Sequence, residues 1–306
     1  MLHSAPGARV DAAQFARVAP FHQLNARLAL RFEALSGSTR LRTDTQEPPW
    51  KVIRAFPQAN GAALVHLHNV SGGVLAGDRL SLQVNVEPGA IAQVTSTGAT
   101  RLYRHRASAA DSEQHTTISV AEHGLLEYLP DALIPFAGSR HLQHTTVTLA
   151  DKATFFWWEI LAPGRQAMGE RFQFESLRVE TAVRAHDRFS VRPLLLENFR
   201  LRPFEYSLSS PARLGDYTHT ASLYAFQVGR SASDLRELES KLNEIAHEVS
   251  SPGVTIWGAS ALASDGIIVR GLSATARDLP ATLVRLWKTA RLFLTGEEAV
   301  PPRKIK

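Results

Sequence analysis

The chain of 306 residues contains no cysteine. That one absence excludes disulfides, zinc–thiolate centres, iron–sulfur clusters and thiol nucleophiles. No run of about 18 apolar residues occurs, so no helical membrane span is expected. The segment from Met1 to Val18 carries Arg9 and Arg17 but no continuous apolar core of a secretory signal. Cytoplasm is therefore the expected compartment. Lysine is scarce: six of the 34 basic residues are Lys, and the rest are Arg. Arginine suits planar contacts at protein interfaces, although a plain compositional bias explains the excess equally well. The formal charge of +5 comes from arginines spread along the chain, so no nucleic-acid-binding stripe stands out.

Catalytic motifs are missing too. There is no G-x-S-x-G elbow and no H-E-x-x-H pair. Gly72 and Gly77 have the separation of a phosphate loop, but the lysine position is Asp78 and the hydroxyl position is Arg79. An acidic residue there would repel phosphate, and a strand-like stretch follows where a helix N-terminus is needed. A glycine-rich turn between two strands is the reading. Carboxylate pairs drawn from distant segments stay open as acid–base groups.

What is present points to β structure. The segments 82–87 and 144–149 alternate apolar and polar residues as half-buried strands do. Phe172 and Phe174 alternate, and Leu177, Val179, Thr181 and Val183 resume in the opposite phase, which predicts a bulge or a strand switch near Glu175-Ser176. A faint repeat of roughly thirty residues joins an alternating strand to a more apolar one, through turns at Pro88-Gly89, Glu122-His123-Gly124 and Asp151-Lys152. Stacked hairpins or helix-like β layers would both produce it. Near the end, Leu235, Leu238, Leu242, Ile245 and Val249 share one helical face, with Asp234 and Glu237 placed as a capping box. Asp265-Gly266 predicts a hairpin turn, and a second helix opens at Asp278-Leu279-Pro280 and stops at Gly296. The expected fold is a single mainly β unit over 1–306: an elongated, layered, β-helix-like body over about 25–230, and a small α/β part over about 231–306.

Histidine is the residue type here that suits metal ligation. His66 and His68 lie two apart on a predicted strand and share a face, as two ligands would, whereas His141 and His144 fall on opposite faces. Such a His-x-His is more often packing than ligation.

Two segments go further. Ser71-Gly72-Gly73-Val74-Leu75-Ala76-Gly77-Asp78-Arg79-Leu80, continued by 95–104, resembles a signature of the UreD/UreH family of urease accessory proteins. Ile134-Pro135-Phe136-Ala137-Gly138-Ser139-Arg140, followed by Trp158-Glu159 through Arg165 and by Gly169-Glu170, is similar to a second. Ala76 stands where a second glycine is common, and Lys304-Ile305-Lys306 follows Pro301-Pro302-Arg303 where an aromatic residue is usual. The resemblance implies a non-catalytic scaffold with no tightly bound cofactor. It further implies partners of three kinds: a helical accessory protein of the UreF type, a GTPase of the UreG type, and apo-urease, the assembly pairing through UreF. Nickel would be cargo in transit. Asp78, Glu159 and Glu170, with His66 and His68, are the candidate path-lining groups, because a path needs weak, exchangeable ligands. Structural roles compete: Asp78 as a cap of its turn, Glu159 in an ion pair with Arg140 or Arg165. Tyr103, Arg104, Trp287, Arg291 and Arg303 are the candidate interface residues. The rival expectations are a carboxylate-dependent glycoside hydrolase using Glu159 and Glu170, and a carbohydrate-binding module with Trp157 and Trp158 as a platform.

Overall fold

The computed structural model describes residues 23–106, 108–186 and 190–302. The strands begin with β1 (Asn25–Leu35), β2 (Ser38–Gln46), β3 (Trp50–Lys51), β4 (Ala55–Pro57), β5 (Ala63–Asn69) and β6 (Arg79–Val86). Next come β7 (Ile91–Ser96), β8 (Thr100–Leu102), β9 (Ser112–Val120), β10 (Leu125–Leu129), β11 (Leu133–Pro135) and β12 (Arg140–Leu149). Then follow β13 (Thr154–Leu161), β14 (Ser176–His186), β15 (Val191–Leu201) and β16 (His219–Gln227). Helix α1 (Ala232–Val249), β17 (Thr255–Ala261), β18 (Gly266–Ser273) and helix α2 (Leu279–Thr295) complete the described chain.

Two sheets form the body. The first runs β15-β14-β12-β9-β6-β1-β2, and the second runs β17-β18-β16-β13-β10-β7-β5-β3. Strands β1, β6, β9, β12 and β14 are mutually parallel in the first sheet, as are β5, β7, β10 and β13 in the second. The thirty-residue repeat is the unit that crosses between them: β6 to β7, β9 to β10, β12 to β13. Its turns stack through backbone hydrogen bonds, Ala121 N–H to Val86 C=O at 2.8 Å and Ala150 N–H to Val120 C=O at 2.9 Å. The parallel winding is limited to these central strands, and antiparallel strands close both sheets at their edges.

Burial explains the composition of the strands. The inner residues of both sheets, among them Leu30, Phe32, Leu82, Val84, Val94, Leu126, Phe155 and Phe226, make one core. The outer face of the second sheet is covered by α1 and α2, so Phe156, Trp158, Leu223 and Val269 pack against Leu238, Leu242, Leu283 and Leu286. Strands β10 and β13 are thus covered on both faces over most of their length and are mostly apolar, with Glu127 and Glu159 as the charged exceptions. The predicted inward face of α1 is buried from Leu235 to Ile245. Its N-cap, however, is Ser231, whose Oγ accepts from Asp234 N–H at 3.1 Å, not the expected Asp234/Glu237 box. Helix α2 opens behind Asp278 and ends on Gly296 in the left-handed region, φ 72°, as expected. No described helix is long and apolar enough to cross a membrane.

One predicted strand is absent. Phe172 and Phe174 lie in irregular backbone before β14, with Phe172 at φ 53°. The chain must return there from the second sheet to the first, and Phe174 turns fully into the core. The phase break is the passage between the sheets, the switch of the two expected alternatives, and not a bulge within one strand.

Candidate functional site

Polar residues inside the sandwich mark the site. Along β9 the inward positions run Ser112, Gln114, Thr116, then Ile118 and Val120. Along β12 they run His141, Gln143, Thr145, then Val147 and Leu149. The two strands are in register, so the residues pair as Ser112 with His141, Gln114 with Gln143 and Thr116 with Thr145. A polar stripe thus enters the core from one end and stops at a hydrophobic wall. Opposite it lies a cavity of about 310 Å³, bounded by Gln114, Thr116, Gln143, Thr145, Glu159 and Tyr224 among others.

Both sheets send a carboxylate into this cavity. Glu159 comes from β13 and Glu197 from β15. The Tyr224 hydroxyl lies between them, 2.9 Å from Glu197 Oε2 and 3.4 Å from Glu159 Oε2. Gln143 Nε2 donates to Glu159 Oε1 at 3.0 Å. Arg270 on β18 donates to Glu197 Oε1 at 2.5 Å and to Ser222 Oγ at 2.7 Å. Glu159 faces cavity instead of bulk water, and desolvation, aided by the Glu197 charge, pushes its carboxyl up to about 7 against the pull of Arg270. Chemically the group offers oxygen ligands around a hydroxyl, with one arginine limiting their net negative charge.

A second cavity of about 250 Å³ shares Thr100, Gln114, Tyr128 and Pro130 with the first. Its wall includes Gly72 and Gly73 of the glycine-rich turn. That turn is built by close approach. A Cβ on Gly73 would stand 2.5 Å from the Tyr103 ring and 2.6 Å from Arg101 C=O. Ala76 has no positive φ, whereas Gly77 does, at 84°, which accounts for a methyl at position 76.

The remaining predicted residues fall elsewhere. Asp78 is buried and accepts from Leu75 N–H at 2.9 Å and Leu24 N–H at 3.4 Å. It holds its own turn, and burial moves its carboxyl up. Glu170 is clamped by Arg165, with Arg165 Nε at 3.0 Å, and accepts from Ala137 N–H at 3.2 Å. The guanidinium holds this carboxyl below its ordinary range. Arg165 also stacks on Phe136 at 4.3 Å, so the pair ties 134–140 to 164–170. Arg140 pairs with Glu175 at 2.5 Å; neither arginine meets Glu159 as expected. His66 is buried with its ring edge-on to Phe56 at 5.6 Å, and burial lowers the His68 pKa. No three His, Asp or Glu side chains among the described residues are arranged to hold a metal ion.

Two interface candidates are corrected. Trp287 and Arg291 are completely buried. Trp287 meets Trp158 edge-on at 5.9 Å. Arg291 Nε donates to Glu127 Oε1 at 2.8 Å, and its Nη1 donates to Glu297 C=O and Glu298 C=O. An amphipathic helix places its large side chains on the sheet, so neither offers surface to a partner. Tyr103 is half-buried and Arg104 exposed; Arg303 lies outside the described residues. The rival expectations lose their geometry as well. Glu159 lines the cavity while Glu170 is bound in the loop clamp, so they do not face each other across a cleft. Trp157 and Trp158 are both buried, so they form no platform. Sequence reading missed Glu197, Tyr224 and Arg270. The one available signal was the switch from apolar to polar at same-face positions of β9 and β12.

Comparison with known proteins agrees with this picture. A family model described as UreD urease accessory protein matches residues 24–306. The chain is 41% identical over 287 residues to a urease accessory protein UreD of Herpetosiphon aurantiacus, covering 92% of this chain and 97% of that one. It is 30% identical over 279 residues to the urease accessory protein UreD of Escherichia coli, covering 91% and 95%. With the Haloarcula marismortui protein of the same name, identity is 31% over 280 residues, covering 90% and 89%. On a match that spans every described element, the chain belongs to the UreD urease accessory protein family.

Proposed function

We propose that this chain is a non-catalytic maturation factor for urease. In this reading it bridges a UreF/UreG-type module to apo-urease and gives nickel an internal passage between its two sheets. The observation that carries the reading is the half-buried carboxylate pair, Glu159 and Glu197, facing a shared hydroxyl inside a cavity. Borderline divalent ions accept carboxylate, amide oxygen, hydroxyl and water. Arg270, held on Glu197, lowers the net negative charge of the group. A cation would be drawn in but held loosely, which suits transit and not storage. The polar stripe of β9 and β12 supplies further neutral oxygen ligands between the cavity and one end of the sandwich.

The test is nickel-dependent activation of apo-urease with purified UreF-type and UreG-type proteins. Omitting this chain should abolish efficient activation. A double Glu159→Ala and Glu197→Ala variant should still assemble with its partners yet activate slowly. Full activation without the chain would overturn the whole reading; full activation by the variant would remove the passage from it.

A further inference from the structure

Outside the sandwich, on the face away from the cavity, two histidines lie side by side. Register places Ser81, His115, His144 and Glu180 in one cross-strand row over β6, β9, β12 and β14. The side chains of His115 and His144 are 48% and 40% exposed, and their ring centroids are 5.8 Å apart. Each imidazole has one nitrogen turned to a carboxylate. His115 Nε2 lies 3.3 Å from Glu113 Oε2, and His144 Nδ1 lies 3.2 Å from Glu180 Oε2. The other nitrogen of His144 meets only a neutral hydroxyl, Thr146 Oγ1, at 3.2 Å. The carboxylates are themselves anchored by arginines, Glu113 by Arg79 at 3.8 Å and Glu180 by Arg178.

We infer that His115 and His144 form a surface binding site for a borderline divalent metal ion, such as nickel or zinc, on the outer face of the first sheet. Ordinary cross-strand stabilisation would set opposite charges beside one another; here two imidazoles adjoin, and the carboxylates sit where they orient the rings. A carboxylate on one ring nitrogen fixes the tautomer and directs the other nitrogen to a metal. Because no three ligands are already arranged around one point, the site is two imidazoles completed by water. That makes it weak and exchangeable, with small side-chain rotations closing the gap between rings. This site does not depend on the internal passage, being separated from the cavity by the sheet itself.

The experiment is titration of the full, tag-free chain with nickel(II) alone and with zinc(II) alone, followed by calorimetry. Binding at the histidine pair is expected with either metal, and a double His115→Ala and His144→Ala variant should lose that component. Glu180→Gln should weaken binding by about tenfold, as removal of an orienting carboxylate typically does. A His66→Ala and His68→Ala variant should bind as the parent does. As a readout that needs no variant, either metal should protect His115 and His144 of the parent from histidine-selective acylation, mapped by mass spectrometry. Absent binding by the parent, unchanged binding by the His115/His144 variant, or acylation of both histidines at undiminished rate under saturating metal would overturn the proposal.

Discussion

Replacing Glu159 by Gln should raise stability at alkaline pH while slowing nickel-dependent activation. The carboxyl's ordinary value is 4.5, and in the folded chain burial and Glu197 raise it to about 7. A group so raised binds its proton more tightly when folded. Its stabilising contribution is therefore fully present below about pH 4.5 and is lost as pH rises through about 7. At 1.36 kcal/mol per pH unit, the full difference is about 3 kcal/mol. Glutamine keeps the shape and a hydrogen-bonding carboxamide but never ionises. The variant's advantage should then be small below pH 4.5, about 1 kcal/mol at pH 5 and about 3 kcal/mol at pH 8. Urea unfolding of parent and variant across this range measures it, with the slope m checked for constancy. Activation measured at pH 8 should move the other way, because the variant has lost an ionisable ligand. A stability difference that stays flat from pH 5 to pH 8 would refute the claim that Glu159 is a desolvated carboxylate.

Four further outcomes follow from the same geometry. Arg291→Met should cost about 3–5 kcal/mol, since Glu127 would be left buried without its guanidinium. Thermal unfolding checks this, and a variant of parental stability that fails only in partner binding would instead restore Arg291 to an interface. Gly73→Ala should destabilise by about 1–3 kcal/mol through overpacking against Tyr103, and adding Tyr103→Ala should recover part of it in a double-mutant cycle. Asp78→Ala should lower stability by about 1–3 kcal/mol by stranding the Leu75 and Leu24 N–H groups, read by denaturant midpoint. Trp287→Ala should cost about 3–5 kcal/mol by opening a cavity between α2 and the second sheet, seen as an early loss of tertiary fluorescence on heating.

Local pattern decided much of the architecture. A strand facing a core on one side must alternate, so β6 and the end of β12 were legible from 82–87 and 144–149. A helix lying on a sheet must repeat every three or four residues, so α1 was readable from Leu235 to Ile245. Asp265, Gly266 and Gly296 mark their turns because the backbone there demands what those residues allow. The family signature was also legible, and the structure gives its glycines a cause in the contact of Gly73 with Tyr103. Pairing between distant strands was not legible. Nothing local brings Glu197 of β15 beside Glu159 of β13, or Arg270 to both, since these meet only when two sheets close on one another. The same holds for His115 and His144, made neighbours by register, and for Arg291, whose charge looked suited to a surface until Glu127 supplied a buried partner. Sequence by itself determined strand, turn or helix at the segments just named, because those choices rest on a few adjacent residues. Tertiary structure alone decided which polar groups face the cavity and which face solvent, because that depends on contacts made across the sheets and never along one strand.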